Sequence, residues 1–162
     1  MNTITFITSF LTFYLKGEIS QEKNFVKFKI PNTILGLIPL GAHKKTIAVN
    51  QIASTDTDFR LLFKNLLIGI VVAIIGLASF SSSALAGLVV LALGVLIVLN
   101  SFQTELVVHQ TSGQSLIVSF IIFEKSKAEE ASEGINNLIS TRMDETNTRE
   151  QTDRVVDAIN NK

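Results

Sequence analysis

Few side chains in this 162-residue chain have the type and spacing to carry out chemistry. There are two histidines, His43 and His109. His43 falls in a predicted polar turn beside Lys44 and Lys45, and His109 at the end of a predicted strand. A zinc site takes three or four ligands at suitable spacing. Neither histidine has such company, so both are expected to be solvated. Asp56 and Asp58 share one face of a predicted strand, but no third carboxylate joins them, and they read as a solvated edge. The chain has no cysteine, which excludes disulfides and thiolate-held metals. It also has no phosphate-cradling glycine loop and no Gly-x-Ser-x-Gly elbow; Ser112-Gly113 reads as a turn. No catalytic, metal or cofactor-binding residue is expected, and with them no cofactor and no enzymatic activity.

The remaining candidates are cationic. Lys23, Lys27 and Lys29 form a basic stripe around Phe25, and Lys44, Lys45, Arg60 and Lys64 follow. A nucleic-acid partner is not expected from so short a stripe. A face toward anionic lipid is, since each cation close to such a surface contributes ~1 kcal/mol. The zero net charge hides a segregation of signs. Residues 1–64 carry eight Lys or Arg against four acids, and residues 105–162 six against ten.

What would hold these cations at a surface is the stretch between Lys64 and Glu105, forty residues without Asp, Glu, Lys or Arg. As one helix it would run ~60 Å, about twice a hydrocarbon core. Two passes fit better: residues 65–83 and 84–104, broken at Ser81-Ser82-Ser83, whose hydroxyls favour a local turn. Neither segment has a polar face, which a water-exposed helix of that length normally shows. The expectation is a transmembrane helical hairpin in a multi-pass protein of the cytoplasmic membrane. Arg60 and Lys64 on the first flank place both termini in the cytoplasm. Gly69, Ala73 and Gly76 share a face of the first helix, and Gly87 and Gly94 a face of the second. Small residues allow close approach of helix backbones, either within the hairpin or between copies of it. No ionisable residue lies inside, which argues against an ion or proton path.

Around the hairpin the periodicity is that of strands. Phe25 to Ile30 alternates, Pro31-Asn32 signals a turn, and residues 33–40, 45–50 and 52–59 read as further strands separated by a polar turn at 41–44. Residues 104–109 and 115–122 are strands joined by a turn at Gly113. A helix follows to about Ser140, opened by the capping box Ser126-x-x-Glu129 and lined by Ala128, Ala131, Ile135, Leu138 and Ile139. Residues 141–162 form a polar tail, either a short helix or disordered. Residues 1–15 lack the basic start of a signal peptide. They are read as an interfacial helix, with a first strand as the alternative.

The runs Phe28 to Leu40, Lys45-Thr46-Ile47-Ala48-Val49-Asn50-Gln51-Ile52 and Ser119 to Glu129 resemble the bacterial pleckstrin-homology-like domains. That resemblance implies an α+β fold, a small antiparallel β barrel or sheet of seven strands with a C-terminal helix. The two-helix transmembrane hairpin would interrupt it between the first four strands and the last three. The divisions are then 1–15, 16–64 (first part of the β domain), 65–104 (hairpin), 105–140 (remaining strands and helix) and 141–162. The resemblance implies a binding or scaffolding module. Its expected partners are the lipid bilayer and either itself or another membrane protein. A small oligomeric pore-forming or holin-like protein, and an accessory subunit of a membrane enzyme or transporter, are the alternatives.

Overall fold

A computed structural model describes residues 2–34 and 38–160. Alternating sequence gives two antiparallel sheets. The first contains β1 (Asn2–Ile7), β2 (Lys16–Gln21), β3 (Phe25–Ile34) and β4 (Ile38–Ala48) in that order. The second contains β5 (Ile52–Leu61), β6 (Phe102–Gln110) and β7 (Ser115–Ile121). On β3, Val26 and Phe28 are buried while Lys27 points out, the period-two pattern of a half-buried strand. The β6–β7 turn relies on Gly113, whose φ of 83° suits a residue without a Cβ.

One core joins the sheets. Phe6, Ile19, Phe28 and Ile47 come from the first sheet, and Leu106, Val108, Val118 and Phe120 from the second. The Phe6 and Phe120 rings meet across the gap at 4.3 Å between centroids. Gly17 leaves room for the Phe6 ring, which a Cβ there would strike. The third helix, α3 (Lys125–Asn160), closes this core with Ala128, Ala131 and Ile135, all fully buried at helical spacing. The Gln21 side chain donates to the Ala131 carbonyl at 3.2 Å and lies against Gly134. Thr55 on β5 donates to Asn136 Oδ1 at 2.9 Å and lies 2.8 Å from the Ser132 hydroxyl.

Between β5 and β6 the chain leaves the core as α1 (Phe63–Ser79) and α2 (Ala84–Leu99). The hairpin thus interrupts the three-stranded sheet, after the fifth strand and not the fourth. It also overturns the transmembrane expectation. The charge-free stretch does not all become helix. Residues 80–83 form the turn, and Phe102, Gln103 and Thr104 enter β6, paired with Leu61, Arg60 and Phe59. That leaves 17 and 16 helical residues, about 25 Å each at 1.5 Å per residue against a ~30 Å hydrocarbon core. Among the described residues, no helix is long and apolar enough to cross a membrane. The α+β membrane-protein fold with a spanning hairpin, the multi-pass placement and the two-cytoplasmic-termini topology fall with it.

Other expectations are corrected locally. Residues 2–7 are β1, not an interfacial helix, and Phe10–Thr12 is a 3-10 turn. Pro31-Asn32 lies within β3. Pairing with β2 ends at Lys29, so the missing N–H of Pro31 costs no ladder bond on that side. The polar segment 41–44 lies inside β4, where the register shifts and Gly41 has a φ of 124°. The strand expected over 33–40 falls partly outside the described residues. Ser126 does not open α3; the preceding turn does, with Glu124 accepting from the Ile7 N–H at 2.6 Å and pairing with Lys127. Residues 141–160 continue α3. Thr141, Thr146, Thr148 and Thr152 each donate to the carbonyl four residues back, so their hydroxyls are satisfied within the helix.

Candidate interaction surface

The two hairpin helices meet through their smallest residues. A Cβ on Gly76 would strike the Leu91 backbone, and one on Gly94 the Ala73 backbone. Gly69 lies against Val98 and the Gly94 carbonyl, and Gly87 against Phe80. All four glycines are buried, so their faces are used inside the hairpin. Every other face is apolar and open: Ile68, Val71, Ile74 and Ile75 on α1, and Leu85, Leu88, Val89 and Val95 on α2, are exposed. An exposed apolar surface of this extent marks a site of association.

The tip carries hydroxyls but no charge. Ser79 donates to the Ile75 carbonyl at 2.8 Å and Ser81 to the Ala78 carbonyl at 3.0 Å, while Ser83 caps α2 by accepting from the Ala86 N–H at 3.5 Å. The root is a firm joint. Asn100 Oδ1 accepts from the Phe10 N–H at 3.2 Å, Ser101 donates to the Ile97 carbonyl at 2.9 Å, and Gln103 donates to the Asn100 carbonyl at 3.3 Å. Thr12 is fully buried there, its hydroxyl without a partner.

Aromatic rings surround this root. Phe59 and Phe102 sit on paired strands with centroids 6.4 Å apart, next to Phe63 at the first turn of α1. Phe10 meets Phe123 edge-on at 5.6 Å, and Phe13 meets Tyr14 at 6.1 Å. Phe13, Tyr14, Phe59, Phe63 and Phe123 are exposed. These residues come from four separate segments, each unremarkable alone.

The seven basic candidates do not share one surface. Lys23 pairs with Glu145 of α3 at 3.0 Å, Lys27 with Glu22 at 2.6 Å and Lys29 with Glu18 at 3.1 Å. Lys44 lies opposite Lys29 on the outer face of the first sheet, and Lys45 is half-buried on the other face. Arg60 and Lys64 stand at the hairpin root. The Arg60 guanidinium reaches both Glu105 oxygens at 3.0 Å from one nitrogen, and Lys64 has no ion pair among the described residues.

One constellation escaped the sequence reading. On the outer face of the second sheet, His109 Nε2 lies 3.0 Å from Asp56 Oδ2, and its Nδ1 lies 2.9 Å from the Ser115 hydroxyl. The order Asp–His–Ser matches a nucleophilic triad, but the setting does not. His109 faces Ser115 across a strand pair and the side chains stand in water, whereas a nucleophilic serine works inside a cleft with oxyanion-stabilising donors. It is a cross-strand polar row. A shallow groove between α3 and the start of β5, lined by Val49, Ile52, Ile139, Arg142 and Met143, has no nucleophile–base pair. His43 is exposed on β4 opposite Ile30. Among the described residues, no three potential ligands converge on a metal position.

Fold and surface together define a class: a two-sheet α+β domain, closed by a helix, with an apolar helical hairpin inserted in its second sheet. No protein-family model, curated protein or solved structure matches the chain.

Proposed function

We propose that this chain is a non-catalytic interaction module, in which the two-sheet body presents the α1–α2 hairpin to an apolar partner. The observation that carries this reading is the hairpin's outer surface. It is apolar wherever the other helix does not cover it, and a helix of that kind is normally buried in its working state. The four-plus-three strand order with a closing helix supports reading the body as pleckstrin-homology-like, a scaffold that binds through its surface. The pore-forming alternative gains no support, because the glycine faces that would pack copies together are already filled.

The test is a fourfold variant, Ile70→Ser, Ile74→Ser, Leu88→Ser and Val95→Ser, made in the full chain. These side chains face outward, so the circular dichroism of the body is expected to stay unchanged. Wild type is expected to associate or to require an apolar phase, and the variant to sediment as a monomer in plain buffer. A wild-type chain that is itself monomeric in buffer, or one with robust turnover abolished by a single polar substitution, would remove the reading.

A further inference from the structure

We infer that the hairpin's partner is a lipid surface, entered from one side and not crossed, with the aromatic root marking the depth of entry. This rests on the interaction-module reading and names its partner.

Three independent features point the same way. The apolar surface wraps the whole outside of the hairpin. A second copy or a folded protein would cover one flank and leave the other wet, whereas lipid covers all of it. The tip suits an apolar medium, since three of its four serine hydroxyls are bonded, those of Ser79 and Ser81 to carbonyls of α1 and that of Ser83 as the cap of α2, and no charge lies between Lys64 and Glu105. Buried polar groups incur a large penalty unless bonded in this way. Finally, the composition changes sharply at the root. The exposed rings of Phe13, Tyr14, Phe59, Phe63 and Phe123 stand there together with Lys16 and Lys64, which make no ion pair among the described residues. Aromatic side chains favour the boundary between hydrocarbon and headgroups, and lysines the phosphate layer beyond it. The helix length of about 25 Å allows a hairpin to dip into the apolar layer without emerging.

The chain has no tryptophan and no cysteine, so single probes can be read without background. Phe63→Trp, Leu85→Trp and Ser81→Cys are made separately in the full chain. Each is transferred from mild detergent to vesicles of phosphatidylcholine with phosphatidylserine. The chain is expected to float with the vesicles. Bromines deep in the acyl chains should quench Leu85→Trp more strongly than Phe63→Trp, and bromines near the headgroups should reverse that order. Ser81→Cys should resist a charged maleimide supplied outside or trapped in the lumen. Labelling from the lumen means that the tip emerges, and overturns the inference. Failure to float while a discrete oligomer forms in buffer, with blue-shifted Leu85→Trp emission, overturns lipid as partner but leaves the interaction module standing. A monomer that does not float and keeps its tip in water overturns both.

Discussion

The body and the hairpin solve opposite packing problems. In the body the large side chains point inward: Phe6, Phe28, Phe120, Ile19 and Leu106 are fully buried, and lysines and glutamates pair on the outer faces. In the hairpin the interior holds Gly69, Gly76, Gly87 and Gly94, and the large side chains point outward. The body therefore obtains its stability from removing apolar surface from water. The hairpin closes by backbone contact and leaves its apolar surface to something else. The difference shows that one chain can hold two regions that bury opposite kinds of side chain.

The comparison breaks most visibly in the body. Phe120→Ala removes a ring stacked on Phe6 in the centre of the core. It is expected to lower unfolding stability by about 3–5 kcal/mol, the usual range for Phe→Ala in a core. Chemical denaturation followed by the far-ultraviolet signal of the sheets reads this directly. A loss below about 1 kcal/mol would mean that the two sheets do not share a core.

The hairpin should respond to the reverse change. Gly76→Leu puts a side chain where the Leu91 backbone already lies. Overpacking of this kind typically costs about 1–3 kcal/mol. The cost should fall on α1 and α2: their amides should exchange faster, while those of β6 and β7 keep their protection. Equal loosening of both regions would show that the hairpin and body unfold as one unit. A smaller effect is expected where α3 meets β5. Thr55→Val removes the hydroxyl that Asn136 and Ser132 share, and a single such bond is worth about 1 kcal/mol. Both partners lie on the partly open side of α3, so water can replace the lost contact and the shift in denaturation midpoint should be modest.

Much of the body could be read from periodicity, because burial on one face of a strand imposes alternation. Val26/Lys27/Phe28/Lys29 and the glycine turn at 113 are cases where local pattern and tertiary role agree. Reading failed where a local signal was overruled by pairing. Pro31 looked like a turn, but it occupies a stretch of β3 that pairs only with β4, where proline is tolerated. Phe102 to Thr104 looked like the end of an apolar helix, but their partners on β5 lie 41 to 45 residues upstream, a distance that no window of hydropathy covers. That one misassignment lengthened the second helix and made it appear able to span. The aromatic root and the Asp56–His109–Ser115 row were hidden for the same reason: each is assembled from segments far apart in sequence.

The smallest effect concerns how the far half of α3 is held. Glu145 lies nearly two turns beyond Ile139, the last α3 residue packed on the core, and it reaches the body through Lys23 in the β2–β3 turn. The hydrogen bond from the Lys23 ammonium, reinforced by its charge, holds the Glu145 carboxyl below the ordinary value of 4.5; Arg142 and Arg149 add to this. A carboxyl depressed in the folded state contributes stability above its unfolded pKa and loses it as pH falls through the folded value. The link should therefore hold at neutral pH and release only in acid. Carboxyl titration by NMR should find Glu145 below 4.5, and Lys23→Gln should move it up. An unmoved midpoint would mean that Lys23 does not reach α3, and that residues beyond 145 extend from the body without a tether at this turn.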